Sequence, residues 1–186
     1  MTVDELRAAL EVELAWRQEE LAFFKNQLNE IAEENKNKYR KSLVLILYSH
    51  LEGYIKICLQ TYVQYINSQR LNRRDVNTGL MVASMHKEFV AYEKNIDDQI
   101  IDTESNLWYI VLQKNLYKVG LPIDLFDDCQ SDIDALVNRR NSIAHGNFRS
   151  GVTAEEFSNW ETKVYEILSA VTRLLYDYAN NEKYLA

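Results

Sequence analysis

One proline and five glycines in a chain of 186 residues are well below the usual share of either residue. A sandwich or barrel of short strands needs turn residues at close, regular intervals, so their scarcity argues against an all-β architecture and favours helix throughout. Cys58 and Cys129, the two cysteines, are too few and too far apart for a disulfide framework or a zinc ribbon, and both are expected as reduced thiols. His50 and His86 lack a convergent ligand pattern, so neither a metal site nor a cofactor is expected. No apolar run approaches the roughly 20 residues of a membrane span, and the opening stretch MTVDELRAALEVEL is acidic and interrupted by charge. A soluble, cytoplasmic protein without a membrane partner is the expectation. The net charge of -7 counts against broad, unspecific nucleic-acid binding, which depends on many cations neutralising phosphates, but it permits a local basic patch.

What the sequence does have is helical periodicity. Thr2 and Glu5 form a capping-box pair, and the helix they start carries Leu14, Leu21 and Leu28, with Phe24 and Ile31 as a second row. The polar segment AEENKNKYRK reads as the following turn. A second helix is predicted from near Arg40, with Val44, Leu47, Leu51, Tyr54, Ile55, Cys58, Leu59, Tyr62 and Ile66 at three- and four-residue spacing. It should be the most buried helix, paired with the first as an antiparallel hairpin. From residue 71 to 120 the pattern weakens: LNRRDVNTG reads as loop, MHKEFVAYEKN as a short helix, DTESN as loop, and LWYIVL as either strand or helix. These residues are expected to be an insertion within a single domain spanning residues 1–186. A further helix can start at Ser131, with Asp134 three residues on, and should stop at His145 because Gly146 suits the position just past a helix end. Thr153 and Glu156 make another capping box, and Phe157, Trp160, Val164, Ile167, Leu168, Val171, Leu174, Leu175 and Tyr178 give the last helix a continuous apolar face. The predicted fold class is all-α, an up-down helical bundle with a long N-terminal hairpin and a less regular middle insertion.

The stretch VNRRNSIAHGNF, residues 137–148, breaks the pattern. On a helical wheel Arg140 falls about 20° from Ile133, inside the apolar stripe, whereas Arg139 points well away from it and reads as a solvated side chain. A guanidinium placed in a core needs carboxylate or phosphate partners. Asn141 and His145 are four residues apart and share a face, so Asn141 can hold the imidazole. Arg140 and His145 would diverge on an ideal helix, but a long arginine at a helix end can bend toward the histidine. A cationic fork beside an oriented imidazole suits phosphodiester cleavage, with His145 as general acid or base and Arg140 stabilising the charge that builds on phosphorus. Either residue alone carries little, because a helix-terminal histidine is often a favourable charge at the dipole's carboxyl end and a buried arginine is often a structural ion pair.

Arg140-Asn141-Ser142-Ile143-Ala144-His145 reads R-N-x-x-x-H, and with LILYSHLEGYIKICLQ in the preceding helix it resembles the HEPN superfamily (higher eukaryotes and prokaryotes nucleotide-binding), in particular its small prokaryotic ribonuclease-like or toxin-like members. The resemblance implies an HEPN-like helical bundle and a metal-independent endoribonuclease that uses a ribose 2'-hydroxyl as nucleophile. It further implies an active site formed where two motifs meet across a homodimer axis. Arg140 and His145 would then be the catalytic pair, with Asn141 beside them. The partners it implies are RNA, a second copy of the chain and a cognate antitoxin or regulator, in a toxin or anti-phage defence setting.

On the second helix, Glu52 and Lys56 are an i, i+4 pair with Ser49 one turn earlier. They are either an ordinary surface pair or support for the site, with Glu52 aiming Arg140. The basic run Lys36, Lys38, Arg40 and Lys41 could guide RNA, although a solvated turn is the more common role for such a run. Two other functions stay open: a non-catalytic helical interaction or nucleotide-binding module, and a coiled-coil adaptor built on the long first helix.

Overall fold

Thr2 starts the first helix as its spacing to Glu5 requires: its hydroxyl accepts the Glu5 N–H at 3.1 Å while the Glu5 carboxylate accepts the Thr2 N–H at 2.7 Å. In the computed structural model, which describes residues 1–69, 71, 76 and 101–185, five α-helices pack together. They are α1 (Val3–Asn26), α2 (Glu33–Ser68), α3 (Tyr109–Lys118), α4 (Gln130–Ala144) and α5 (Ala154–Asn180). Among the described residues there is no strand, only an isolated bridge between Val76 and Leu185. The short helix expected in MHKEFVAYEKN lies outside the described residues.

α1 and α2 form the predicted antiparallel hairpin. The hydroxyl of Tyr39 donates to the Phe24 carbonyl at 3.1 Å near the turn, and that of Ser68 to the Met1 carbonyl at 3.2 Å at the open end. α5 lies along both, fastened by Lys25 to Glu161 at 2.6 Å and by the Tyr65 hydroxyl to the Ala179 carbonyl at 3.4 Å. Its own start is the expected Thr153 and Glu156 box. Leu43, Val44, Leu47, Tyr48, Leu51, Tyr54, Ile55, Cys58, Leu59 and Tyr62 are all buried, so α2 is the core helix.

Four local expectations are corrected. α2 begins two turns before Arg40, and the turn is residues 27–32; Glu33 and Glu34 sit favourably at the helix's positive end, and an all-polar exposed start gave no apolar signal. α2 is also long and apolar enough to cross a membrane by length and composition, but 56% of that window is buried inside the bundle, as a core helix would be. LWYIVL, open between strand and helix, resolves as the entry to a helix, α3, and Asp134 accepts its first N–H, from Tyr109, at 2.9 Å. Asp134 is thus spent on α3; α4 starts at Gln130, behind a 3-10 turn at Asp127–Cys129, with no side-chain cap.

The fourth correction concerns which arginine is buried. The inner stripe of α1 runs Leu6, Leu10, Arg17, Leu21, and Arg17 is only 4% exposed. Its guanidinium bonds the Glu13 carbonyl at 2.7 Å and the Glu13 carboxylate, and lies 4.3 Å over the Trp16 ring and 5.5 Å over that of Tyr54. Glu13, four residues earlier, supplies the counter-charge that permits burial.

Candidate functional site

α4 runs antiparallel to α2, and its register is visible in successive contacts. Ile133 and Leu136 line one small cavity with Leu51, Arg140 meets Tyr48, Phe148 meets Lys41, and the Val152 N–H donates to the Asn37 carbonyl at 2.8 Å. α4 stops where expected. His145 is its C-cap, Gly146 takes φ +72°, and the N–H groups of Gly146 and Asn147 return to the carbonyls of Ile143 and Ser142 at 3.1 and 2.9 Å. This is a Schellman closure, which glycine accommodates without the penalty a Cβ brings. The chain then passes close to α2 at Gly151, where an added Cβ would fall 2.7 and 2.8 Å from the backbone C and O of Asn37. Gly151→Ala is therefore expected to cost about 1–3 kcal/mol, measured as a lower urea midpoint; an unchanged midpoint would show that the segment after α4 does not need this close approach.

Arg140 is half-buried rather than sunk in the core, because the apolar stripe of α4 outruns the bundle: Ile143 is half-covered and Ala144 exposed. Its guanidinium lies 4.9 Å over the Tyr48 ring. Nη1 donates to the Asn141 Oδ1 at 2.8 Å and the Asn106 Oδ1 at 3.2 Å. Among the described residues Arg140 has no carboxylate partner. Tyr48 is buried, its hydroxyl accepts the Leu107 N–H at 2.8 Å, and burial pushes the phenol up to about 12, with the Glu52 carboxylate adding to the rise and the Leu107 bond and Arg140 opposing it. Glu52 bears on Tyr48, one turn away on the same helix, and of the two readings open to it the pairing with Arg140 is not made among the described residues.

Asn141 does not hold the imidazole. Its side-chain oxygen is taken by Arg140, and the i, i+4 link to His145 is the backbone bond from the His145 N–H to the Asn141 carbonyl at 2.9 Å. The His145 side chain is exposed, and among the described residues nothing hydrogen-bonds it. The structure thus gathers Arg140, Asn141, Tyr48 and Asn106 into one cluster and leaves His145 projecting from the helix end. Ser49 is exposed and donates back to the Ile46 carbonyl at 2.8 Å. Lys56 lies about 12 Å along α2 from Tyr48 by helical rise, in the direction leading away from His145.

Arg139 is not the solvated side chain that the wheel suggests. It stacks 4.1 Å over Phe148 and 5.3 Å over Trp160 and pairs with Glu156 at 3.3 Å, because α5 and the segment after α4 cover that flank as well. Of the basic run, Lys36, Lys38 and Arg40 bond Glu33, Asn35 and Asn37 within the first turns of α2. Lys41 reaches across to the Phe148 carbonyl at 2.6 Å. Lys41, Arg139 and Arg140, with exposed Arg149 nearby in sequence, place positive charge around the carboxyl end of α4 in a chain of net charge -7. His50 belongs elsewhere: it is buried against α1, 2.7 Å from the Glu20 carboxylate, and burial lowers its pKa while Glu20 opposes. His86 lies outside the described residues. Among the described residues no three His, Cys, Asp or Glu side chains converge as a metal site.

Sequence reasoning missed both Asn106 and Tyr48. Tyr48 was legible as a core position one turn before Glu52; nothing in the local pattern marks Asn106, which depends on how a loop crosses α2. Compared with protein-family models, residues 12–177 match the one described as RiboL-PSP-HEPN. That span contains α2, α3, α4 and the whole stretch VNRRNSIAHGNF. No curated protein and no solved structure matches the chain.

Proposed function

The chain belongs to the RiboL-PSP-HEPN family, and from that premise we propose that it is a metal-independent endoribonuclease. In this reading a ribose 2'-hydroxyl attacks the adjacent phosphorus and the 5'-oxygen leaves. An imidazole takes the hydroxyl proton, an imidazolium protonates the leaving oxygen, and Arg140 stabilises the charge on the equatorial oxygens. The observation that carries the reading is the state of Arg140: held from two sides, with no carboxylate among the described residues to neutralise it, five residues before an exposed histidine. Cleavage of single-stranded RNA is expected to persist in excess EDTA, and complete dependence on added magnesium or manganese would remove the mechanism.

A second copy supports this chemistry. Within one chain Arg140 turns toward Tyr48 and Asn106 and makes no hydrogen bond to His145, and an in-line displacement needs a base and an acid on opposite sides. A two-fold axis beside the half-covered end of α4 would supply the second imidazole and cover Ile143 and Ala144. Light scattering should show about twice the 21.8 kDa chain mass; a fully active monomer would defeat the shared site. An unrestrained ribonuclease harms its own cell, so a cytoplasmic toxin or anti-phage effector held by a cognate inhibitor is the setting we propose. The alternative, a module that binds RNA or a nucleotide without cutting it, draws on the absence of any described side chain orienting His145. Purified protein that binds RNA and leaves it intact would favour that alternative.

A further inference from the structure

The stretch expected to be a plain loop, DTESN, is tightly built. Thr103 to Asn106 closes a turn through the Asn106 N–H and the Thr103 carbonyl at 2.8 Å, with Glu104 at φ +49° and Ser105 at φ +73°. Two consecutive positive φ values are the signature of a type I' turn, a conformation usually given to glycine, asparagine or aspartate. Glutamate and serine adopt it here at a steric cost, so surrounding bonds must hold it. They do: the Asp102 side chain accepts the Glu104 N–H at 2.9 Å, the buried Asn115 donates to the Asp102 carbonyl at 2.8 Å, Lys114 pairs with Glu104 at 2.9 Å, and Tyr48 takes the Leu107 N–H. The residue this strained turn delivers is Asn106, whose carboxamide oxygen meets Nη1 of Arg140.

We propose that Asn106 is a positioning residue that fixes the Arg140 guanidinium while leaving its charge, and its Nε–Nη2 edge, free for a phosphate. The proposal rests on the ribonuclease reading above. Both carboxamide oxygens engage the same nitrogen, Nη1. Among the described residues Nε and Nη2 have no hydrogen-bond partner, and neither is among the buried unpartnered atoms of this half-buried side chain, so both keep some contact with solvent. Theirs is the edge that can grip a phosphate with two parallel bonds. A carboxylate at position 106 would orient the arginine equally well and cancel its charge. A carboxamide orients it and leaves the charge in place.

The substitutions Asn106→Asp and Asn106→Ala separate this role from a structural one. Binding to an RNA methylated at every 2'-oxygen, which can bind but cannot react, is followed by anisotropy across a salt series, beside cleavage of unmodified RNA and thermal melts. Asn106→Asp is expected to melt no lower than wild type and to bind about tenfold more weakly. Its plot of log K against log salt should be shallower by about 0.7, the value for one lost single-strand phosphate contact. Its kcat should fall further than that of Asn106→Ala, which retains the charge but loses the aim. Asn106→Asp that binds and cuts like wild type overturns the proposal. So do Asp and Ala variants that lose melting temperature alike while each folded molecule keeps full activity. Wild type that binds with the steep salt slope but never cuts overturns the ribonuclease reading alone, and wild type that does not bind RNA overturns both.

Discussion

His145→Ala is expected to slow RNA cleavage at least about a hundredfold while changing stability by no more than about 1 kcal/mol. The side chain is exposed, bonds nothing among the described residues, and sits at a C-cap whose closure depends on backbone groups and Gly146. Losing it removes a proton carrier and little else. Arg140→Lys should likewise fold and be nearly inactive, since an ammonium cannot bond Asn106 and Asn141 through one nitrogen and present a planar edge with the others. Arg139→Ala is the informative neighbour. The wheel alone predicts a silent change, whereas the stack on Phe148 and Trp160 and the bond to Glu156 predict a loss of about 1 kcal/mol. A kinetic assay beside urea melts reads all three; a His145→Ala protein that cuts normally would remove the imidazole from the mechanism.

Tyr48 should show the largest stability effect near the site. Tyr48→Ala deletes a side chain that is 1% exposed and is expected to cost about 3–5 kcal/mol, with loss of the surface under Arg140. Tyr48→Phe keeps the ring and removes the acceptor of the Leu107 N–H, costing about 1–3 kcal/mol. Each folded molecule of Tyr48→Phe should cut RNA nearly as wild type does, because the ring still supports Arg140. Equal stability of the two variants in urea would mean that the ring is not packed as described.

Much of this was legible from residue spacing. The capping boxes at Thr2 and Thr153, the core stripe of α2 and the stop at His145 and Gly146 follow from local rules and stand in the structure. What escaped was relational. Arg17 takes a leucine's place because Glu13 lies beneath it, and a stripe read by apolarity skips such a position. Arg139 was misplaced because a wheel ranks positions against one face, and α4 is covered on more than one. Asn106 reaches Arg140 only because a strained turn crosses α2, which sequence separation conceals. Spacing leaves Glu52 open between a surface pair and a partner for Arg140, and only the packing shows that both Glu52 and Arg140 bear on Tyr48.

The most direct measurement is the chemistry of the cut ends. RNA incubated with the wild-type protein in excess EDTA should yield 2',3'-cyclic phosphate and 5'-hydroxyl termini, and a substrate with a single 2'-deoxyribose at the cut nucleotide should stay intact. Products ending in 3'-hydroxyl and 5'-phosphate, or cleavage beside the deoxyribose, would contradict attack by the 2'-hydroxyl at a site built from Arg140 and His145.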